Sequence, residues 1–282
     1  MALWYHSILP VLLPFCVFSN IIVKSGMYDR LFERLYPAFR IFYPIRSPLI
    51  YPLIAGFLFG FPLGSKICAD LYHAGKISSE EAEAVSCISN NFGPAFLYNY
   101  LYQNIFRGQI SIAAVYAACY LPPLLLGRIK LTRHTSGEPI PESTKPTSGS
   151  SINIKILDAG ILDGFTTMIK LAGYIVLSAL LADIILHIPF ENAVIQSLCI
   201  GLTEVTNGIQ RISELPPGNS HNCLLAIGIV NLGEISGLSQ TYSVMKGTGF
   251  RIRRYLRFKL MCSLIGMLTM QAFLLLQNPI KG

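Results

Sequence analysis

Cys199–Arg211 reads CIGLTEVTNGIQR, and its place in an otherwise apolar chain decides what kind of protein this is. Glu204 sits among Thr203, Thr206 and Asn207, between Gly201 and Gly208. An ionisable side chain in such a setting is costly, and a functional site is the default expectation for it. The glycines and the Thr-Asn pair predict a helix broken at Asn207-Gly208. Lipid tolerates such a break only where it lines a cavity or packs against protein. The stretch therefore reads as a substrate site in a transporter.

Composition supports the membrane setting. The 282 residues are 52% hydrophobic and only 13% charged, with a mean hydropathy of +0.51; soluble domains carry about 25% charged residues. A net charge of +7 could point to nucleic acid. The basic residues, however, lie in loops between apolar runs and form no nucleic-acid motif, which fits membrane orientation better. Seven cysteines sit mostly singly in apolar segments, without CxxC or Cys/His spacing, so neither disulfides nor a metal site is expected. HExxH, GxSxG, Walker A and GxGxxG are absent, and no enzyme is expected.

Outward from the opening stretch, Pro189–Pro217 reads as a helical hairpin, and the first half holds a counterpart. Ser47–Gly75 is apolar but carries Pro48, Pro52, Gly56, Gly60, Pro62 and Gly64, which predicts two half-helices meeting at Gly60–Gly64. Cys87–Phe106 is interrupted at Asn90-Asn91-Phe92-Gly93-Pro94, and Asn222–Met245 at Asn231-Leu232-Gly233-Glu234-Ile235-Ser236-Gly237. Leu3–Val23, Ile110–Leu126, Ile161–Ile188 and Leu260–Leu276 read as plain spans, the first retained because it lacks a signal-peptide pattern. Each half is then span, hairpin, broken helix, span. The predicted layout places a first membrane repeat at 1–127 with an interfacial helix over 27–46 and a hairpin over 47–75. A polar cytoplasmic linker follows at 128–158, then a second repeat at 159–282 with its hairpin over 189–217.

Charge bias tests the layout. With both termini outside, Lys24–Arg46, Arg128–Lys155 and Lys246–Lys259 put their lysines and arginines inside, leaving Arg107, Arg211 and Lys281 outside. That asymmetry favours six crossings and halves of opposite topology. Inverted repeats with paired Gly/Pro-interrupted segments point to a transporter with a midplane site between hairpin tips and broken helices.

Several side chains are candidates for that site. Half-helix N-termini at the tips offer backbone N–H groups to anions, and Lys66 would add a positive charge; its alternative is to snorkel to the inner surface. Asn90 and Asn91 would bond a polar ligand or cap the break that Gly93 and Pro94 create. Glu204 would bind a coupling cation or proton, accept from the ligand, or pair with Arg211. Glu234 would act similarly or cap a half-helix.

The ordered set GFPLGSKICADLYHAGKISSEEAE (60–83), NNFGPAF (90–96), GLTEVTNGI (201–209), LGEISGLSQ (232–240) and the basic RIRRYLRFK (251–259) resembles the sporulation integral membrane proteins of the nucleoside-recognition (Gate) domain family. The resemblance implies an all-α polytopic membrane protein of endospore formers, similar in architecture to concentrative nucleoside transporters. It also implies transport of dipicolinic acid during sporulation, in the cell membrane or the forespore membrane. Gly60, Pro62, Gly64, Asn90, Asn91, Glu204, Thr206, Asn207, Gly208, Gly233, Ser236, Gly237 and Gln240 match its motif positions. The expected partners are a small solute and the bilayer, with a homo-oligomer open and no nucleic acid. No cofactor is expected; Na+ or H+ would serve as coupling ion. A nucleoside transporter and a non-transporting membrane scaffold are the alternative functions.

Overall fold

The computed structural model describes residues 9–25, 27, 33, 36–43, 45–106, 108, 110–134, 153–216 and 220–277, and no strand occurs among them. The helices are α1 (Leu9–Ser25), α2 (Tyr36–Phe42), α3 (Ile50–Phe59), α4 (Leu63–His73), α5 (Ser79–Ser89), α6 (Pro94–Phe96, continuing as a π-helix over Leu97–Phe106), α7 (Ile112–His134), α8 (Ile154–His187), α9 (Ala193–Thr203), α10 (Val205–Glu214), α11 (Ser220–Leu232), α12 (Ile235–Val244) and α13 (Ile252–Gln277). They group into two compact units. One comprises Met1–Asn90, Gly127–Gly173 and Gln240–Arg251, the other Asn91–Leu126, Tyr174–Ser239 and Ile252–Gly282. Each unit draws on both halves of the sequence.

In the first unit α3 and α4 form the expected hairpin. Gly60 turns it with φ of 85°, a region only glycine enters without strain. Gly56 and Gly64 let the hairpin close on the end of α5: a Cβ on Gly56 would lie 2.2 Å from the Ser89 carbonyl oxygen, and one on Gly64 2.5 Å from Ser89 Oγ. Ser78 opens α5 with a capping box, its hydroxyl accepting from Glu81 N while the Glu81 carboxylate accepts from Ser78 N. Glu81 is also held by Arg46 Nε at 2.8 Å. Helix α8 packs on α1 through Gly160 and Gly164, where a Cβ would lie 2.9 Å from Ile21 Cγ1 and 2.6 Å from Val17 Cγ2. This is the small-xxx-small spacing by which membrane helices approach.

In the second unit α9 starts at Asn192, whose side chain accepts from Val194 N and Ile195 N. The chain breaks at Glu204 (φ −148°, ψ 116°) and returns as α10. The break thus comes earlier than Asn207-Gly208, because Glu204 itself caps α10 and both expected breakers are helical. Gly208 serves another purpose: a Cβ there would lie 2.1 Å from Gly201 Cα, so the arms of the hairpin cross glycine on glycine. Helices α11 and α13 meet where Ser263 Oγ donates to the Gly228 carbonyl at 2.8 Å, and Asn231 Nδ2 reaches the Ala118 carbonyl of α7 at 3.1 Å.

Four helical stretches, Ile112–Thr132, Ile154–His187, Ser220–Val244 and Ile252–Gln277, are long and apolar enough to cross a membrane. Against the expected six crossings, the described residues hold these four candidates. Helix α1 is described from Leu9, and the start of the expected span Leu3–Val23 lies outside the described residues. The stretch through Asn90 is divided into α5 and α6 at the expected break and is not among the four. The full spans also extend beyond their apolar cores. Arg128–His134 of the expected linker is helical within α7, and most of RIRRYLRFK is the start of α13, as suits good helix formers carried on from an apolar span. Residues 135–152 of the linker, and 28–32, 34–35 and 44 of the expected interfacial helix, lie outside the described residues.

Gly208→Ala should lower the detergent melting temperature by about 5 °C, the scale of overpacking a closed contact. Gly173→Ala, which meets no atom within 4 Å on α8, should leave it unchanged or raise it; thermal unfolding of the two variants side by side checks this.

Candidate functional site

The polar groups collect at the helix breaks, and each unit holds its own set. In the first, Gly60, Pro62 and Gly64 shape the hairpin tip, and Lys66 follows one turn later on α4, its N–H donating to the Pro62 carbonyl at 2.9 Å. The Lys66 side chain is 9% exposed. Its Nζ donates to both Asp70 oxygens at 2.6 and 2.8 Å, and to Asp163 Oδ2 of α8 at 2.7 Å. Asn20 Nδ2 of α1 donates to that same Asp163 oxygen at 2.5 Å. Lys66 is therefore neither a free charge at the tip nor a surface residue. It is the centre of an ionic cluster tying three helices, and the anion beside it comes from the chain.

Asn90 ends α5, its N–H donating to the Ser86 carbonyl at 3.1 Å, while its Nδ2 donates to Thr241 Oγ1 at 2.7 Å. Gln240, next to Thr241 on α12, is buried in the same unit. Ser65 and Ser86 hydroxyls meet at 2.7 Å between α4 and α5.

In the second unit two carboxylates close the N-terminus of α10. Glu204 accepts from Thr206 N at 3.1 Å, Thr206 Oγ1 at 2.6 Å and Asn207 N at 2.8 Å. Glu234, carried at the break between α11 and α12 behind Gly233 (φ 81°), accepts from Val205 N. The first three amides of α10 are thus taken, and the electrostatics of the helix end are answered from within. Both acids are buried, as is Ser236 beside Gly237, while the Asn207 side chain is exposed. Arg211 pairs with Glu214 at 2.7 Å instead of Glu204.

Asn91 accepts from Lys259 Nζ at 3.0 Å, and that ammonium lies 5.7 Å from the Tyr255 ring centroid. Gly93 caps α6 in an extended conformation. Tyrosines of α7 reach both sides of the break, Tyr120 OH donating to Phe92 O at 2.8 Å and Tyr116 OH to Pro94 O at 3.2 Å.

Sequence reading named none of Asp70, Asn20, Asp163, Thr241 or Lys259 as a site residue. Lys259 had a detectable signal: it shares a helical face with Tyr255, Cys262, Ser263 and Gly266, all buried, although the basic run made it look like loop. Among the described residues no group of three or more His, Cys, Asp or Glu could hold a metal.

Comparison with known proteins gives one informative similarity. Over 294 aligned residues the chain is 20% identical to the sporulation integral membrane protein YlbJ of Bacillus subtilis (strain 168), covering 90% of this chain and 71% of that protein. No family model matches, and no solved structure matches significantly. With its apolar helices, this makes the chain an all-helical integral membrane protein similar to a sporulation protein.

Removing one member of the Lys66 cluster should have unequal effects. Lys66→Ala leaves two carboxylates without their cation, whereas Asp163→Ala leaves the Lys66–Asp70 pair intact. Folded yield and detergent melting temperature should therefore fall clearly more for Lys66→Ala, the scale for orphaning a buried charge being about 3–5 kcal/mol; equal losses would contradict the arrangement.

Proposed function

We propose that the protein is a membrane transporter for a small anionic or heteroaromatic solute, with dipicolinic acid the first candidate. The observation that carries this reading is the set of interrupted helices. Breaks at Gly60, Asn90, Glu204 and Gly233 each bring polar side chains into apolar helical segments. Discontinuous helices at membrane depth belong where protein or a water-filled path surrounds them, and half-helices are the usual carriers of substrate and ion contacts in secondary transporters. Similarity to a sporulation integral membrane protein supports the solute class, because the sequence motifs resemble a family associated with dipicolinate movement. On this reading the halves are an inverted repeat, similar to the concentrative nucleoside transporters, and the protein performs no covalent chemistry.

A second reading has its own support. Glu204 and Glu234 are acceptors, and they suit a solute rich in hydroxyl or amine donors, as a nucleoside is.

Uptake into proteoliposomes decides between them. The proposal expects saturable dipicolinate uptake that falls at least tenfold in Glu204→Gln combined with Asn90→Ala. Unchanged uptake in that double variant would sink the site assignment, and competition by uridine or adenosine but not by dipicolinate would favour the nucleoside reading.

A further inference from the structure

Two donors on different helices converge on one oxygen atom. Lys66 Nζ of α4 and Asn20 Nδ2 of α1 lie 2.7 and 2.5 Å from Asp163 Oδ2. The lysine is nearly enclosed, while Asp163 keeps 40% of its side chain exposed. Asn20 is anchored independently, its Nδ2 also donating to the Cys16 carbonyl at 3.1 Å. Lys66 has a bidentate partner on its own helix in Asp70. Asp163 can therefore leave without orphaning the ammonium, whereas the donors it leaves behind need another acceptor.

The charge count agrees. Lys66 stands against two carboxylates, and Lys24 is the further cation whose field reaches both. One carboxylate beyond Asp70 is what the cradle holds; a second anion could enter only as Asp163 departs. A cradle that closes on its own side chain when empty also avoids leaving buried donors unmet, which is costly where water is scarce.

We propose that Asn20 and Lys66 form a binding site for a carboxylate of the transported solute, and that Asp163 is the built-in ligand which the solute displaces. The inference rests on the transport reading and specifies the solute by charge. Binding frees Asp163 towards its exposed side and releases α8 from α4. Return of Asp163 ejects the solute and restores the contact. A neutral analogue of the same shape cannot compete, because it brings no charge to replace the one that leaves.

The test is calorimetric titration of the full chain in detergent with dipicolinate and with its neutral diamide. Asp163→Asn keeps the size of the resident side chain and removes its charge, so it should tighten dipicolinate binding about tenfold, the scale of one charge-assisted hydrogen bond. The diamide should bind neither protein measurably. Asn20→Leu, which removes one donor and leaves the Lys66–Asp70 pair, should weaken dipicolinate binding by a similar factor in the Asp163→Asn background. Unchanged or weaker dipicolinate binding in Asp163→Asn, or equal binding of the diamide, would overturn the inference. Uptake separates the two claims. Dipicolinate uptake by the wild type with no gain of affinity in Asp163→Asn defeats the cradle alone. Tighter binding by Asp163→Asn without uptake by either protein supports the cradle and defeats the transport reading.

Discussion

The helix breaks of this structure answer to one constraint: a helix interrupted within an apolar segment must find partners for its freed backbone groups inside the protein. The N-terminus of α10 shows the rule most plainly. Val205, Thr206 and Asn207 present amides that no carbonyl in the helix can take, and Glu234 and Glu204 accept from them. The same accounting applies at the break after Asn90, where Tyr120 of α7 donates to the Phe92 carbonyl. Side chains that look like a ligand site in the sequence are thus also the means by which the fold closes.

Close approach is the second requirement, and glycine meets it. The first hairpin seats on Ser89 through Gly56 and Gly64, the second crosses itself at Gly201 and Gly208, and α8 reaches α1 through Gly160 and Gly164. Hydrophobic driving force between helices is weak in lipid, so contacts of this kind and polar pairs between helices carry much of the packing energy. The Lys66, Asp70, Asp163 and Asn20 cluster belongs to that second type. Its use of one ammonium for two carboxylates gives the α4–α8 contact a partner that can change, which a wholly apolar contact could not offer.

Much of this was legible in the residues. Gly/Pro density located the first hairpin and its tip at Gly60–Gly64, and paired polar residues located the breaks at Asn90 and Gly233, because these signals act locally on the backbone. The second hairpin was legible as a hairpin, but its break was misplaced. Glutamate is not among the favoured N-cap residues, and the decisive contact, Glu234 to Val205, joins distant parts of the chain. Lys66 illustrates the same limit. A lysine beside a hairpin tip reads as a ligand for a passing anion until Asp163, far along the chain, is found already in that place. Full spans were underestimated in length because charged helix formers at their ends resemble loops in composition.

Hydrogen exchange at the second hairpin tip tests the closing of the helix breaks most directly. The account predicts slow exchange across peptides covering 201–209 in the wild-type protein in detergent. Exchange there should quicken by at least tenfold in Glu234→Ala, with peptides of α13 unaffected. Fast exchange at this tip in the wild type, or a rate indifferent to Glu234, would contradict it.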